Sequence, residues 1–267
     1  DFLISGCHLT RIDGNAIMIS GKNRNVRILN NEISWIGDTA VASWGYTEGY
    51  HPAQPAGTGP DTRGQEYPIG TVLEGNLIHH VGSDEKQSAC YFQAKTGRAR
   101  LSRNICFESP RAGFLINDGM AGGDIIEKNL LFNLVKETGD HGPINSWDRV
   151  AWLMKDSDGR DTTVPEIIEI SGNFLHASGG GGCVDNDDGS SYYDIHSNVC
   201  IYGGFKSSNM GGHSKRFDDN LVLYSEVYGP TCVWLYPGSL EGFKGPHWPM
   251  PGLEETYSNN TCVLREG

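Results

Sequence analysis

A short phrase of apolar and polar positions returns along the chain: apolar, two free positions, Asn, one free position, apolar. It reads Ile28 to Ile33, Leu73 to Ile78, Leu101 to Cys106 and Ile126 to Leu131, then Ile170 to Leu175, Ile195 to Cys200, Phe217 to Val222 and Tyr257 to Cys262. The anchoring residues are Asn31, Asn76, Asn104, Asn129, Asn173, Asn198, Asn220 and Asn260. A ninth copy, Ile4 to Leu9, has Cys7 in the Asn place. Successive Asn residues lie 45, 28, 25, 44, 25, 22 and 40 apart. The short intervals suit one turn of a solenoid built from short parallel strands. The long ones hold inserts, near residues 46–70, 150–166 and 225–255, whose Gly and Pro content reads as loops leaving the coil. Asn suits a sharp corner, because it tolerates left-handed backbone and its amide can bond its counterpart one coil away.

The predicted fold is therefore all-β: a single-stranded, right-handed parallel β-helix over residues 1–267, interrupted by long loop insertions. Ile125-Ile126 and Ile167-Ile168 fit short strands of β-branched residues, and no long segment shows helical periodicity. A β-sandwich with regular turns is the competing architecture. The recurring coil length and the scarcity of tight two-residue hairpins favour the solenoid. The chain starts almost inside a coil, at Phe2, with no cap for the open strand edges. The expectation is a piece of a longer solenoid, or end-to-end self-association through that N-terminal coil.

Composition narrows the function. The net charge of −12 argues against nucleic acid or an anionic membrane surface as partner, and no apolar run is long enough to span a bilayer. Seven Cys, at positions 7, 90, 106, 183, 200, 232 and 262, form no CxxC pair, which disfavours structural zinc. Their odd number leaves at least one without an intrachain partner. Cys usage, low Lys, high Gly and a single glycosylation sequon, Asn259-Asn260-Thr261, point to a secreted, extracellular protein.

Two blocks concentrate chemistry. Residues 138–149 hold Asp140, His141, Trp147, Asp148 and Arg149; residues 184–191 hold Asp185, Asp187 and Asp188. Three carboxylates so close repel one another, which raises at least one pKa or calls for a cation. A Ca²⁺ ion on Asp185, Asp187 and Asp188 is a candidate, although the spacing is not that of an EF-hand; otherwise no cofactor is expected. Aligning the strands before each corner puts Lys95, Asp118, Trp147 and Asp187 in one column, uncertain by a residue. Carboxylates beside an aromatic face suit an extended glycan.

The order Gly139 to Arg149, Asn173, Asp187 to Ser191, Asn198-Val199 and Tyr202 to Gly204 resembles β-helical glycoside hydrolases of the xylosidase and fucosidase type, within the pectin-lyase-like superfamily. The resemblance covers roughly residues 100–225. It implies that Asp140 and Asp187, with Asp188 as substitute for the latter, are the catalytic carboxylates. Asn186 before the Asp pair and His141 directly after Asp140 depart from the family pattern.

The first reading is thus hydrolysis of a polysaccharide or oligosaccharide by two carboxylates, the acid being whichever Asp is buried near Trp147. Lys95, Arg111, Asp118, His141, Trp147, Asp148 and Arg149 would bind the sugar. The second is a polysaccharide lyase acting on uronates through Lys95 and Arg111; Glu85 to Ser88 and Tyr91 to Lys95 resemble alginate-type lyases. The third is a non-catalytic extracellular fibre or glycan-binding β-helix. His79-His80 as metal ligands, Trp44 and Tyr46 as groove borders, and His213 are weaker candidates.

Overall fold

A computed structural model describes residues 2–46, 60–177, 181–208, 211–225, 232–235 and 252–264. Among them the chain forms a parallel β-helix. Each coil contributes one short strand to each of three sheets, except that the last coil's described strands belong to the first two, so the sheets have nine, nine and eight strands. The first sheet runs from Leu3–Ser5 to Thr256–Ser258, the second from His8–Ile12 to Thr261–Val263, the third from Ile17–Ser20 to Val233–Leu235.

The two apolar columns of the repeat phrase line the interior. Ile28, Leu73, Leu101, Ile126, Ile170, Ile195 and Phe217 stack from the first sheet; Ile33, Ile78, Cys106, Leu131, Leu175, Cys200 and Val222 stack from the second. All are buried, in one continuous core.

Asn meets half of the expectation at the corner between these sheets: the amides bond from coil to coil, but the sharp backbone is not its own. The left-handed residue is the one before it: Asn30, Gly75, Arg103, Lys128, Gly172, Ser197, Asp219 and Asn259 all have positive φ. The Asn builds a ladder instead. Asn104 Oδ1 accepts the backbone N–H of Asn76 at 3.0 Å and its Nδ2 at 3.0 Å. The same pair of bonds links each Asn to the next from Asn31 to Asn260. Cys7 joins through its backbone N–H, 2.9 Å from Asn31 Oδ1, which confirms the ninth copy. Asn129→Ala orphans buried donors on Asn104 and frees the Leu101 carbonyl. Each unmet buried group costs about 1–3 kcal/mol, so this variant should lose roughly 3 kcal/mol or more, read from its urea midpoint.

Three disulfides stitch the coils: Cys90–Cys106, Cys183–Cys200 and Cys232–Cys262, with Cys7 free and exposed. The first two tie the start of a third-sheet strand to the second sheet across the buried core. Such bonds fit an oxidising compartment.

The inserts at 46–70 and 150–166 leave from the same corner, after the third sheet. Their described parts clasp each other: Thr62 donates from N to Leu153 O at 2.7 Å, and Arg63 pairs with Asp61 and Asp161. Tyr67, Met120, Trp152 and Met154 form a small second core there. Met154–Lys155 and Asp161–Thr162 pair as an antiparallel ribbon. The insert at 225–255 lies mostly outside the described residues.

Candidate active site

The outward face of the third sheet carries the polar concentration. Its register is read from paired strands: Phe92, Leu115, Asn145, Asp185 and Lys206 form one column, and Ala94, Asn117 and Trp147 the next. The predicted column is therefore shifted by one residue at its start, and Lys95 and Asp118 come after Ala94 and Asn117. Trp147 and Asp187 do share a level, because Asp187 N donates to Ser146 O. Asp148 N then donates to Asp188 O, so the ladder absorbs one extra residue here. Asp187 points outward by the ordinary alternation from Asp185, and the extra residue lets Asp188 line the cleft as well.

A cleft of about 350 Å³ lies over this face, lined by Gln87, Phe92, Arg111, Leu115, Asn117, Asp140, His141, Trp147, Arg149, Asp187 and Asp188. Seven of the ten residues singled out from sequence meet there: Arg111, Asp140, His141, Trp147, Arg149, Asp187 and Asp188. Lys95, Asp118 and Asp148 do not line it. They follow the sheet into the next corner, where Lys95 sits in left-handed backbone and favours the charged form of Asp118 against the effect of burial. Trp44 stacks on Phe92, with centroids 5.4 Å apart, and so continues the cleft's aromatic edge. Tyr46 instead hydrogen-bonds Ser20, 2.9 Å between hydroxyls.

The three carboxylates sit in different settings. Asp140 is at the rim, 66% exposed, 3.3 Å from Arg111. Asp187 is 25% exposed and 2.5 Å from Lys206 Nζ. Asp188 is 10% exposed and bonded to Arg149, whose guanidinium lies 5.0 Å above the Trp147 ring. Lys206, absent from the sequence-based candidates, also reaches buried Asp185 at 3.1 Å, with the Trp234 ring 5.7 Å away. Burial works against the Lys206 charge, but two carboxylates outweigh it and hold its pKa above the ordinary value. One ammonium between two carboxylates leaves a surplus negative charge. Burial pushes the Asp185 pKa up, against the pull of Lys206. The charge of the Asp185, Asp187 and Asp188 trio is thus met by Lys206 and Arg149. Among the described residues no group of three His, Cys, Asp or Glu is arranged to hold a metal ion.

No family model, curated protein or solved structure matches the chain. The site therefore stands on its geometry.

His141 closes one end of the cleft. Both ring nitrogens lie near Arg111 NH2, at 3.1 and 3.0 Å, and Nδ1 is 3.4 Å from Asp140. Burial, then Arg111, depress its pKa to about 4, so the imidazole is neutral at pH 7. The backbone after it is packed too closely for a side chain: a Cβ on Gly142 would lie 1.7 Å from Gly182 O. Beneath the acidic loop, Ser190 Oγ meets Ser146 Oγ at 2.9 Å and Ser190 O accepts from buried Lys215 at 2.7 Å. These contacts hold Asp187 and Asp188 from below.

Asp148 is the enclosed carboxyl next to Trp147. Burial raises its pKa to about 7, despite a hydrogen bond from Trp152 Nε1 at 3.2 Å. Its folded value stands above its unfolded one, so the folded state binds the extra proton between about pH 4 and 7 and loses stability as pH rises through that window. Asp148→Asn should stabilise the fold at about pH 8 by roughly 2–4 kcal/mol and give no such gain at about pH 4. Thermal melts at both pH values check this.

The weaker candidates also have contacts. His79 stacks on Phe107 and His80 on Trp35, and their Nδ1 atoms are 2.8 Å apart. His213 sits 2.9 Å from Ser214 Oγ and edge-on to Tyr192.

Proposed function

We propose that this protein is a secreted, carbohydrate-active enzyme, a glycoside hydrolase that cuts a polysaccharide or oligosaccharide lying along the third sheet. The observation that carries the reading is the convergence of Asp140, Asp187 and Asp188 on one cleft with the Trp147–Arg149 stack. The residues come from consecutive coils, and the aromatic pair offers a flat face to a sugar ring.

The roles follow from the settings. Asp187, charged beside Lys206, faces the anomeric carbon as nucleophile or as base toward water. The acid was expected to be the Asp buried near Trp147; that residue, Asp148, does not line the cleft, so the role passes to Asp140, which is open to solvent. With a glycan seated over it, Asp140 hands a proton to the leaving oxygen. The C–O bond breaks, and water supplies a hydroxyl to one fragment and restores the proton to the enzyme. Asp188 fixes Arg149, and Arg111 and His141 take sugar hydroxyls. The three disulfides suit an extracellular setting.

One observation favours a second reading, elimination on uronates. A neutral imidazole, His141, adjoins Arg111, so a base and a partner for the sugar carboxylate are side by side. The test is an assay of a glycan panel for new reducing ends and for ultraviolet absorbance together. Hydrolysis predicts reducing ends without absorbance. Absorbance rising in step with cleavage would replace the hydrolase by the lyase.

A further inference from the structure

Beyond Arg149, where the third sheet turns toward the first, the chain encloses a second hollow of about 430 Å³. One side of it is apolar, from Met120, Trp152, Met154 and Val164; Thr163, Ser191, Tyr192 and His213 make the polar remainder, and Asp148 is the carboxyl that lines it. Arg149 lines both this hollow and the catalytic cleft. A glycan crossing Arg149 therefore passes from one into the other.

The lining selects among sugar substituents. A sugar carboxylate would be desolvated against the apolar side and set beside Asp148, while the cation there, Arg149, is already paired with Asp188, so its entry is costly. A sugar bearing hydroxyls alone leaves the apolar side without a partner. An acyl group satisfies both parts of the lining. We propose that this hollow is a subsite for an O-acetylated sugar residue, its methyl against Met120, Met154 and Val164 and its carbonyl oxygen accepting a hydrogen bond from the Asp148 carboxyl. The proposal rests on the glycan-cleaving reading above and names the substrate class within it.

The surroundings of Asp148 supply the donor. Trp152 Nε1 and the Val150 N–H donate to the carboxyl, Asp118 is the neighbouring acid, and buried Tyr193 lies close by. Lys95 and Arg149 act on Asp118, Arg149 is also paired with Asp188, and His213, across the hollow, is held toward its neutral form by burial. The carboxyl is thus a proton-bearing donor below neutral pH and a charged acceptor above it, when it repels a carbonyl oxygen.

The test is binding of the whole chain, in the cold, to an array of plant and algal glycans. Each is printed in its native O-acetylated form and after mild alkaline de-esterification. At about pH 6, glycans that bind are expected to lose roughly 10-fold or more in affinity on de-esterification. Val164→Asp, at a half-exposed position where the fold tolerates charge, should erase that difference. It should shrink at about pH 9 in the wild type, yet persist there in Asp148→Asn, whose amide still donates. Equal binding of both forms, or an ester preference surviving Val164→Asp, overturns the subsite alone if the bound glycans are still cleaved. Binding of no glycan overturns the subsite and the hydrolase reading together.

Discussion

Asp187→Asn is expected to lower turnover by about 10³-fold while leaving the fold intact. The reason is local. The amide that replaces the carboxylate keeps an oxygen for Lys206 to donate to, and Lys206 keeps Asp185 at 3.1 Å, so no buried charge is stranded. On the proposed mechanism, what disappears is the negative charge that would stabilise the anomeric carbon as its bond to oxygen breaks. KM should change little, because that charge matters more to the transition state than to the bound sugar. Asp140→Asn should show a comparable loss. The double variant should fall little further, since an acid and a base acting on one bond work as a unit. Full turnover in Asp187→Asn, with a circular dichroism spectrum like the wild type, would remove Asp187 from the mechanism.

Lys206→Met carries the largest expected cost to stability. It leaves Asp185, 2% exposed, with the Asn145 amide at 3.1 Å but without its ammonium. Stranding one partner of a buried pair typically costs about 3–5 kcal/mol. Asp185, already pushed up by burial, then rises further. A raised carboxyl pKa means that the folded variant binds a proton the unfolded chain releases, so its stability should worsen as pH rises. Adding Asp185→Asn should restore much of the loss. Chemical denaturation of the single and double variants, at acid and neutral pH, checks the sign as well as the size.

The fold was legible because the helix repeats one short phrase, and each coil must bury the same two apolar positions and bond the same amide. The backbone at the corner was misassigned because Asn served as marker for two tasks. The residue before it bends the chain and the Asn ties the coils together. The third sheet was harder to read. Its strands have no Asn anchor and its corners hold inserts of unequal length. A one-residue slip there exchanges cleft-facing and corner-facing side chains, which is how Lys95 and Asp118 were placed in the cleft.

Lys206 escaped notice for a related reason. Its only signal is pairwise: Val184-Asp185 and Phe205-Lys206 each set a core residue before a charged one, and the charges meet once Val184 and Phe205 are aligned. The acidic cluster had suggested Ca²⁺ because the cations opposite it, Arg149 and Lys206, sit on the neighbouring coils and are far from it in sequence. Asp140, Asp187 and Asp188 were grouped through the resemblance to β-helical glycoside hydrolases; the fold brings them to one cleft although Asp140 precedes its strand and Asp187 and Asp188 follow theirs.

The central claim is that water, added across a glycosidic bond between Asp140 and Asp187, is what this cleft delivers. Cleavage in ¹⁸O-labelled water, followed by mass spectrometry of the fragments, tests it most directly. The account predicts one heavy oxygen in each newly formed reducing-end fragment, lost in Asp187→Asn. Fragments lighter by the elements of water and free of label would contradict it.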